Sequence, residues 1–281
     1  MSPILECVVN VSEGQRADVL AALAAAAGPL VLDVHRDRDH HRSVFTLAGP
    51  AGALAESVRS LAAATVDRLD LRSHRGAHPR IGVLDVVPWV ALSGWPLEPG
   101  PLATSLEART AFARWAGADL GLPCFLYGTE RTLPQIRREA WHSLAPDTGP
   151  PFPHPTAGAA AVGARPVLVA YNLWLDRDDA DLELARRLAA GLRGPAVRAL
   201  GLQVGDGVQV SCNLIDPQSV GPAAVFDAVA TQTGVERAEL VGLLPARVLG
   251  AVPEHRWREL GLDRSRTIEA RLEQAGLDGG R

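Results

Sequence analysis

Apolar residues fall into short β-branched runs that alternate with longer stretches rich in alanine and leucine. Residues 4–11 form the first such run, closed by Ser12-Glu13-Gly14. The spacing then predicts a helix over 16–27, where alanines are strong helix formers and Gly28-Pro29 supplies a stop. Strands are expected over 30–34 and 43–47, with the charged segment 35–41 turning between them. Gly49-Pro50 introduces a long helix over about 53–69, and a strand follows over 81–90. The order β-α-β-β-α-β is that of a ferredoxin-like unit, extended here by a helix over about 102–120 and a strand over 124–127.

The second half repeats that order. A strand over 166–175 leads into a helix over 178–192, with acids in its first turn and arginines later, as the helix dipole favours. Strands over 197–204 and 208–215 are joined by Gly205-Asp206-Gly207, a strong hairpin signal. A helix over 222–231 and a short strand over 239–244 complete it. Asn10 and Asn172 fall at matching points, near the end of each half's first strand. The expected fold is α+β, two ferredoxin-like (βαββαβ) subdomains, each a sheet with helices on its outer face.

Between the halves lies 147–165, DTGPPFPHPTAGAAAVGAR. Five prolines between Pro146 and Pro155, with three glycines in the stretch, argue against helix and central strand there. Such composition fits an interdomain linker. It equally fits a preorganised ligand loop, in which glycines let a ligand approach the backbone and Phe152 and His154 have a use. Both readings stand at this point. The arginine-rich tail, 253–281, holds a helix over about 264–274 to which no chemistry is assigned.

A chain of 281 residues with a net charge of −4 offers no global attraction for nucleic acid or an anionic membrane. All its cationic side chains except histidine are arginine, a bias that genomic base composition explains without function. Cys7, Cys124 and Cys212 are odd in number and sit in separate apolar runs, which predicts buried, reduced thiols and a cytoplasmic protein. The most apolar stretch, 19–34, is broken by Gly28, Pro29 and Asp33, so no membrane span is expected.

The chemistry concentrates in 71–88, LRSHRGAHPRIGVLDVVP, a polar loop that feeds a buried strand. His74 and His78 stand four apart, but Gly76 and Pro79 disfavour the helix that would aim both at one metal. Asp39, His40 and His41 enlarge the set without making a convincing zinc site, so no metal is expected. Acid–base work by one imidazole fits better, with Arg72, Arg75 and Arg80 nearby to disfavour its charged form. Two solvated loop histidines are the plain alternative. Asp85, inside an apolar strand, requires a partner: an arginine or histidine of the loop would serve, and a structural ion pair is an equal reading. Arg165 is either a carboxylate fork or a surface arginine, and Asn10, Asn172 and Asn213 are either polar contacts or turn caps.

The segments ECVVNVSEG, HRSVFTLAGP, HRGAHPRIGVLDVVPW, VGARPVLVAYNLWL, QVSCNL and ELVGLLP, in that order from residue 6 to 245, resemble the glutamate formimidoyltransferase family. That resemblance implies an N-terminal subdomain over 1–163 and a C-terminal one with its tail over 164–281, sheets facing across a groove, and a homodimer. It implies transfer of a formimidoyl, or formyl, unit from N-formimidoyl-L-glutamate to N5 of tetrahydrofolate during histidine degradation. Tetrahydrofolate enters as co-substrate, with no metal, nucleic acid or membrane involved. The histidine of the family's G-E-H-P-R motif falls on His78 as the catalytic residue. Its folate-binding segment falls on Gly149, Pro150, Pro151, Phe152, Pro153, His154, Pro155, Thr156, Ala157 and Gly158. Asn10, His41, His74, Arg80, Asp85, Arg165 and Asn172 are the candidates for substrate contact. Ala77, His41 and His35 stand where that resemblance expects Glu, Asn and Asp. A folate-binding paralogue with weak or altered transfer is the alternative reading.

Overall fold

The computed structural model describes residues 4–76, 79–178 and 180–277. The chain divides into two compact units, Met1–Pro166 with Ala275–Arg281, and Val167–Gln274.

The first unit opens with β1 (Ile4–Val11), α1 (Ala17–Ala27), β2 (Val31–Asp37), β3 (Arg42–Pro50), α2 (Ala51–Arg68) and β4 (Leu84–Ser93). It continues through β5 (Glu98–Pro99), α3 (Leu102–Asp119), β6 (Cys124–Tyr127), α4 (Leu133–Glu139) and β7 (Ala160–Ala164). Its sheet has the order β2-β3-β1-β4-β7-β6, with β5 added on β4. β1 runs antiparallel to both β3 and β4, whereas β4, β7 and β6 are parallel. Leu5, Cys7 and Val9 alternate onto one face of β1, as a two-residue period requires, and pack with Leu23 of α1, Leu54, Val58 and Leu61 of α2, and Phe112 of α3. Each of these large apolar side chains contributes about 1.5–3 kcal/mol by leaving water. Asn10 belongs to the other face.

The second unit comprises β8 (Val169–Leu175), α5 (Leu182–Leu192), β9 (Val197–Val204), β10 (Gly207–Leu214), α6 (Pro222–Ala230), β11 (Val235–Val241), α7 (Ala246–Gly250) and α8 (Ile268–Gln274). Its antiparallel sheet has the order β11-β8-β10-β9. Tyr171, Leu173 and Leu175 face a core closed by Ala185, Leu188 and Ala189 of α5 and Val225 and Val229 of α6. The Asp181 side chain accepts the Leu184 N–H at 2.7 Å, so α5 begins at Leu182 rather than at 178. Gly205, at φ 56°, turns the expected β9–β10 hairpin.

The fold is thus mixed α and β with two sheets. In each unit the first strand sits between the third and the fourth, the second lying beyond the third. Further expectations need correction. The strand expected over 239–244 runs instead over Val235–Val241. Residues 147–165 do contain a central strand, because β7 lies between β4 and β6. The prolines end at Pro155, and the small residues Ala160 to Ala164, all buried, pass through the middle of the sheet without needing side-chain room. The strand expected over 81–90 starts only at Leu84, because Val83 N–H is held by Ala157 O at 2.9 Å and Ala159 N–H by Ile81 O at 2.9 Å. The short helix α4 carried no sequence expectation. Among the described residues no helix is long and apolar enough to cross a membrane. Cys7, Cys124 and Cys212 are buried free thiols.

Candidate active site

Because β1 is antiparallel to its two neighbours, its C-terminal end meets the beginnings of β3 and β4, with Val11 opposite both Ser43 and Leu84. Four pieces of polar sequence converge there: the turn 12–14, the turn 37–42, the two stems of the 71–83 loop, and Asp85. Ser12 ties the first to the third, its hydroxyl donating to Gly82 O at 2.8 Å.

Asp85 is 1% exposed and fully engaged. Arg137, from α4, grips it with both guanidinium nitrogens, Nη1 to Oδ1 at 2.7 Å and Nη2 to Oδ2. Ile81 N–H donates to Oδ1 at 2.9 Å, and Arg42 Nη2 stands 3.9 Å from Oδ2. Burial pushes this carboxyl up, but the Arg137 fork, Arg42 and the backbone donor outweigh it and hold it below the usual carboxylate range. The carboxylate is thus held in a structural ion pair by an arginine of α4, with Arg42 of β3 and Arg80 of the loop adding favourable charge. Arg42 also donates to Asn10 Oδ1 at 2.5 Å, while Asn10 Nδ2 is spent on Val8 O. Burial lowers the Arg42 guanidinium to about 10; Asp85 opposes this and the neighbouring Arg137 and Arg80 reinforce it. Three guanidinium groups around one buried carboxylate leave a local surplus of positive charge.

A second cluster adjoins the first. Glu13, also 1% exposed, accepts the N–H groups of Gln15 and Arg16 on Oε1 at 2.7 and 2.9 Å, and Arg16 Nε on Oε2 at 2.7 Å. Burial pushes its pKa up, yet those donors prevail and bring it to about 2. His41 Nε2 lies 3.2 Å from Glu13 Oε1, and His41 Nδ1 donates to Arg75 O at 2.7 Å. The His41 ring stacks on His74 at 4.1 Å between centroids. His74 Nε2 donates to His41 O at 3.0 Å, leaving Nδ1 to accept from Arg80. Burial first, then the Arg80 charge, lowers the His74 pKa to about 4, so this imidazole is neutral near pH 7. Of the three loop arginines only Arg80 acts on that ring; Arg72 pairs with Asp70, and Arg75 Nη1 bonds the carbonyls of Arg72 and His74.

Ala77 and His78 lie outside the described residues, but the chain on either side is tied down. Leu71 N–H donates to Thr156 O at 2.7 Å, and 81–83 pair with 157–159. The segment Gly149–Gly158 is thereby built onto both stems of the histidine loop. Its turn is closed by reciprocal bonds between His154 and Gly158 at 2.8 and 3.0 Å, with His154 Nδ1 accepting Ala157 N–H at 3.0 Å. Gly158, at φ 72°, would place a Cβ 2.3 Å from Ile81 O, so no other residue fits that crossing. Phe152 projects outward, 63% exposed.

Two further sequence candidates are carried by other strands. Arg165 follows β7 at the far end of the sheet from Asp85, about 17 Å along a five-residue strand, and donates to Pro166 O. Asn172 sits mid-strand in β8 of the second unit, opposite Ser211 and Glu239. Three residues of the cluster went unremarked in sequence. Arg137 sits in a seven-residue helix with too little apolar periodicity to stand out; Glu13 reads as a turn residue and Arg42 as the edge of a strand. Among the described residues, no group of three or more His, Cys, Asp or Glu is arranged to hold a metal ion.

The family described as formiminotransferase domain, N-terminal subdomain, matches residues 4–165. The chain is 33% identical to a glutamate formimidoyltransferase of Streptococcus pyogenes serotype M1, over 91% of this chain and 93% of that one. It is 28% identical to a glutamate formimidoyltransferase of Thermoplasma acidophilum, over 97% and 98%. It is 32% identical to a formimidoyltransferase-cyclodeaminase of Gallus gallus, over 89% of this chain but only 51% of that longer protein. Matched by the family over more than half its length and aligned nearly end to end with these two transferases, the chain belongs to the formiminotransferase family.

Proposed function

We propose that this protein moves the formimidoyl group of N-formimidoyl-L-glutamate to N5 of tetrahydrofolate, a step of histidine degradation. The observation that carries the reading is the 33% identity to a glutamate formimidoyltransferase across 91% of the chain. N5 attacks the amidine carbon and forms a C–N bond; the tetrahedral adduct then breaks its bond to the glutamate nitrogen. One proton leaves N5 and one reaches the departing amine, so a single imidazole at His78 serves as base and then as acid. Arg80 and Arg42, at the cationic cluster, are proposed to hold a donor carboxylate, with Asp85 and Arg137 fixing Arg42. Asn10, His41 and His74 shape that end of the site. The loop 149–158 is proposed to take the folate, Phe152 offering an aromatic face to the pterin. Arg165 remains a candidate for a carboxylate of glutamate or of the folate tail, and Asn172 a candidate for substrate contact.

We read each unit as a ferredoxin-like subdomain, on the strength of the strand order, with subdomain bounds of 1–163 and 164–281. A cytoplasmic location agrees with the reduced thiols, and a homodimer follows the family resemblance. The direct test incubates the purified protein with both substrates and quantifies free glutamate. Glutamate released only when tetrahydrofolate is present is the expected result. Release without tetrahydrofolate makes the protein a hydrolase and overturns the reading. Ala77, where the resemblance expects Glu, favours the second reading of a folate-binding paralogue: tetrahydrofolate binding by calorimetry without glutamate release would establish it.

A further inference from the structure

We propose that His41 is a positioning residue, which together with Glu13 clamps the entry stem of the loop that carries residue 78, rather than a substrate ligand. The inference rests on the transferase reading for its kinetic consequence and on geometry for the clamp itself.

Both ring nitrogens of His41 face protein oxygens. Nδ1 donates to Arg75 O at 2.7 Å, and Nε2 lies 3.2 Å from Glu13 Oε1, a bond the ring makes when both nitrogens carry a proton, so neither nitrogen is left for a ligand. The main chain of the same residue holds the stem a second time, because His41 O accepts from His74 Nε2 at 3.0 Å. Ring stacking on His74 at 4.1 Å makes a third attachment. Arg80, across the loop, bonds His74 and donates to His40 O at 3.3 Å, so entry and exit stems meet on the 40–41 turn. Glu13 is a fixed anchor: two backbone amides and the Arg16 guanidinium hold its carboxylate.

The backbone at His41 supports the same conclusion. It sits at φ 49°, left-handed space that a residue with a Cβ occupies only against a steric cost. A histidine held there is over-determined by its surroundings, and here those surroundings are the stem and Glu13. A general base displaced by about 1 Å from productive geometry loses on the order of 100-fold in rate, so a clamp four residues upstream reports in kcat.

Glycine tolerates that φ, so His41→Gly removes the bridge without adding backbone strain. Kinetics of tetrahydrofolate-dependent glutamate release and amide hydrogen exchange of 71–76 are measured for wild type, His41→Gly, Glu13→Gln and the double variant Glu13→Gln/His41→Gly. The expected result is a kcat loss of roughly 10- to 100-fold, KM within about twofold, faster exchange over 71–76, and a double variant no worse than His41→Gly alone. A raised KM with kcat intact would make His41 a substrate ligand and overturn the proposal. Unchanged kcat and exchange would also overturn it. Should the wild type release no glutamate, the transferase reading fails, and exchange over 71–76 alone decides: faster in His41→Gly upholds the clamp, unchanged refutes it.

Discussion

Asp85 and Arg137 show how one buried pair holds the site together. Loss of either member deprives the other buried charge of its fork partner, and a buried charge without its partner costs about 3–5 kcal/mol. Arg137→Leu should lower unfolding free energy by about that amount in urea titration, and adding Asp85→Leu should recover part of it. A single-variant loss below about 1 kcal/mol would show that the pair is dispensable. Protonation gives an independent reading. His74 has its pKa lowered to about 4 in the folded chain, below the ordinary value of about 6.5. Between those values the unfolded chain binds the proton and the folded chain does not, so this contribution is present above about pH 6.5 and lost on acidification towards 4. Glu13, brought down to about 2, adds a second loss below about pH 4. Thermal midpoints of His74→Asn should therefore fall less than wild type between pH 7 and 4.5; parallel curves would contradict the burial of that ring.

At the level of helices and strands, the account turns on α4 and β7. Thr132 caps α4 by accepting Gln135 N–H at 3.3 Å, and α4 in turn delivers Arg137. Thr132→Ala should cost about 1 kcal/mol and loosen the Asp85 fork. In β7, a Cβ at Gly163 would meet the Tyr127 ring at 2.1 Å, so Gly163→Val should destabilise by about 1–3 kcal/mol as an overpacked core does. A thermal midpoint equal to wild type in both variants would discount these two elements. They are also where sequence reasoning fell short. β1, β9 and α2 announce themselves by two- or three-to-four-residue periodicity and by glycine or proline stops. α4 is only seven residues long and begins with Leu133-Pro134, and β7 is small residues directly after a proline run, so neither carries a periodic signal. Of the polar cluster, His41, His74, Arg80 and Asp85 were legible because polar residues interrupting apolar runs are conspicuous. Arg137 was not, because its partner lies 52 residues away in sequence.

Across the full chain, both cores shield a thiol. Burial lifts Cys124 and Cys212 to about 12 and raises Cys7 as well. Native protein should leave all three unreacted with a thiol reagent over minutes at pH 8 and expose three on addition of denaturant. Rapid reaction of any thiol in the native protein would contradict the packing of its unit. The functional account spans the same scale, since the histidine loop, the proline-rich loop and the cationic cluster come from segments more than 110 residues apart. They converge on the stems that carry position 78. Measuring kcat of tetrahydrofolate-dependent glutamate release in His78→Ala therefore probes the account at its centre. A fall of about 10²- to 10⁴-fold with the thermal midpoint unchanged is the expected result, and a variant that turns over at the wild-type rate would contradict it.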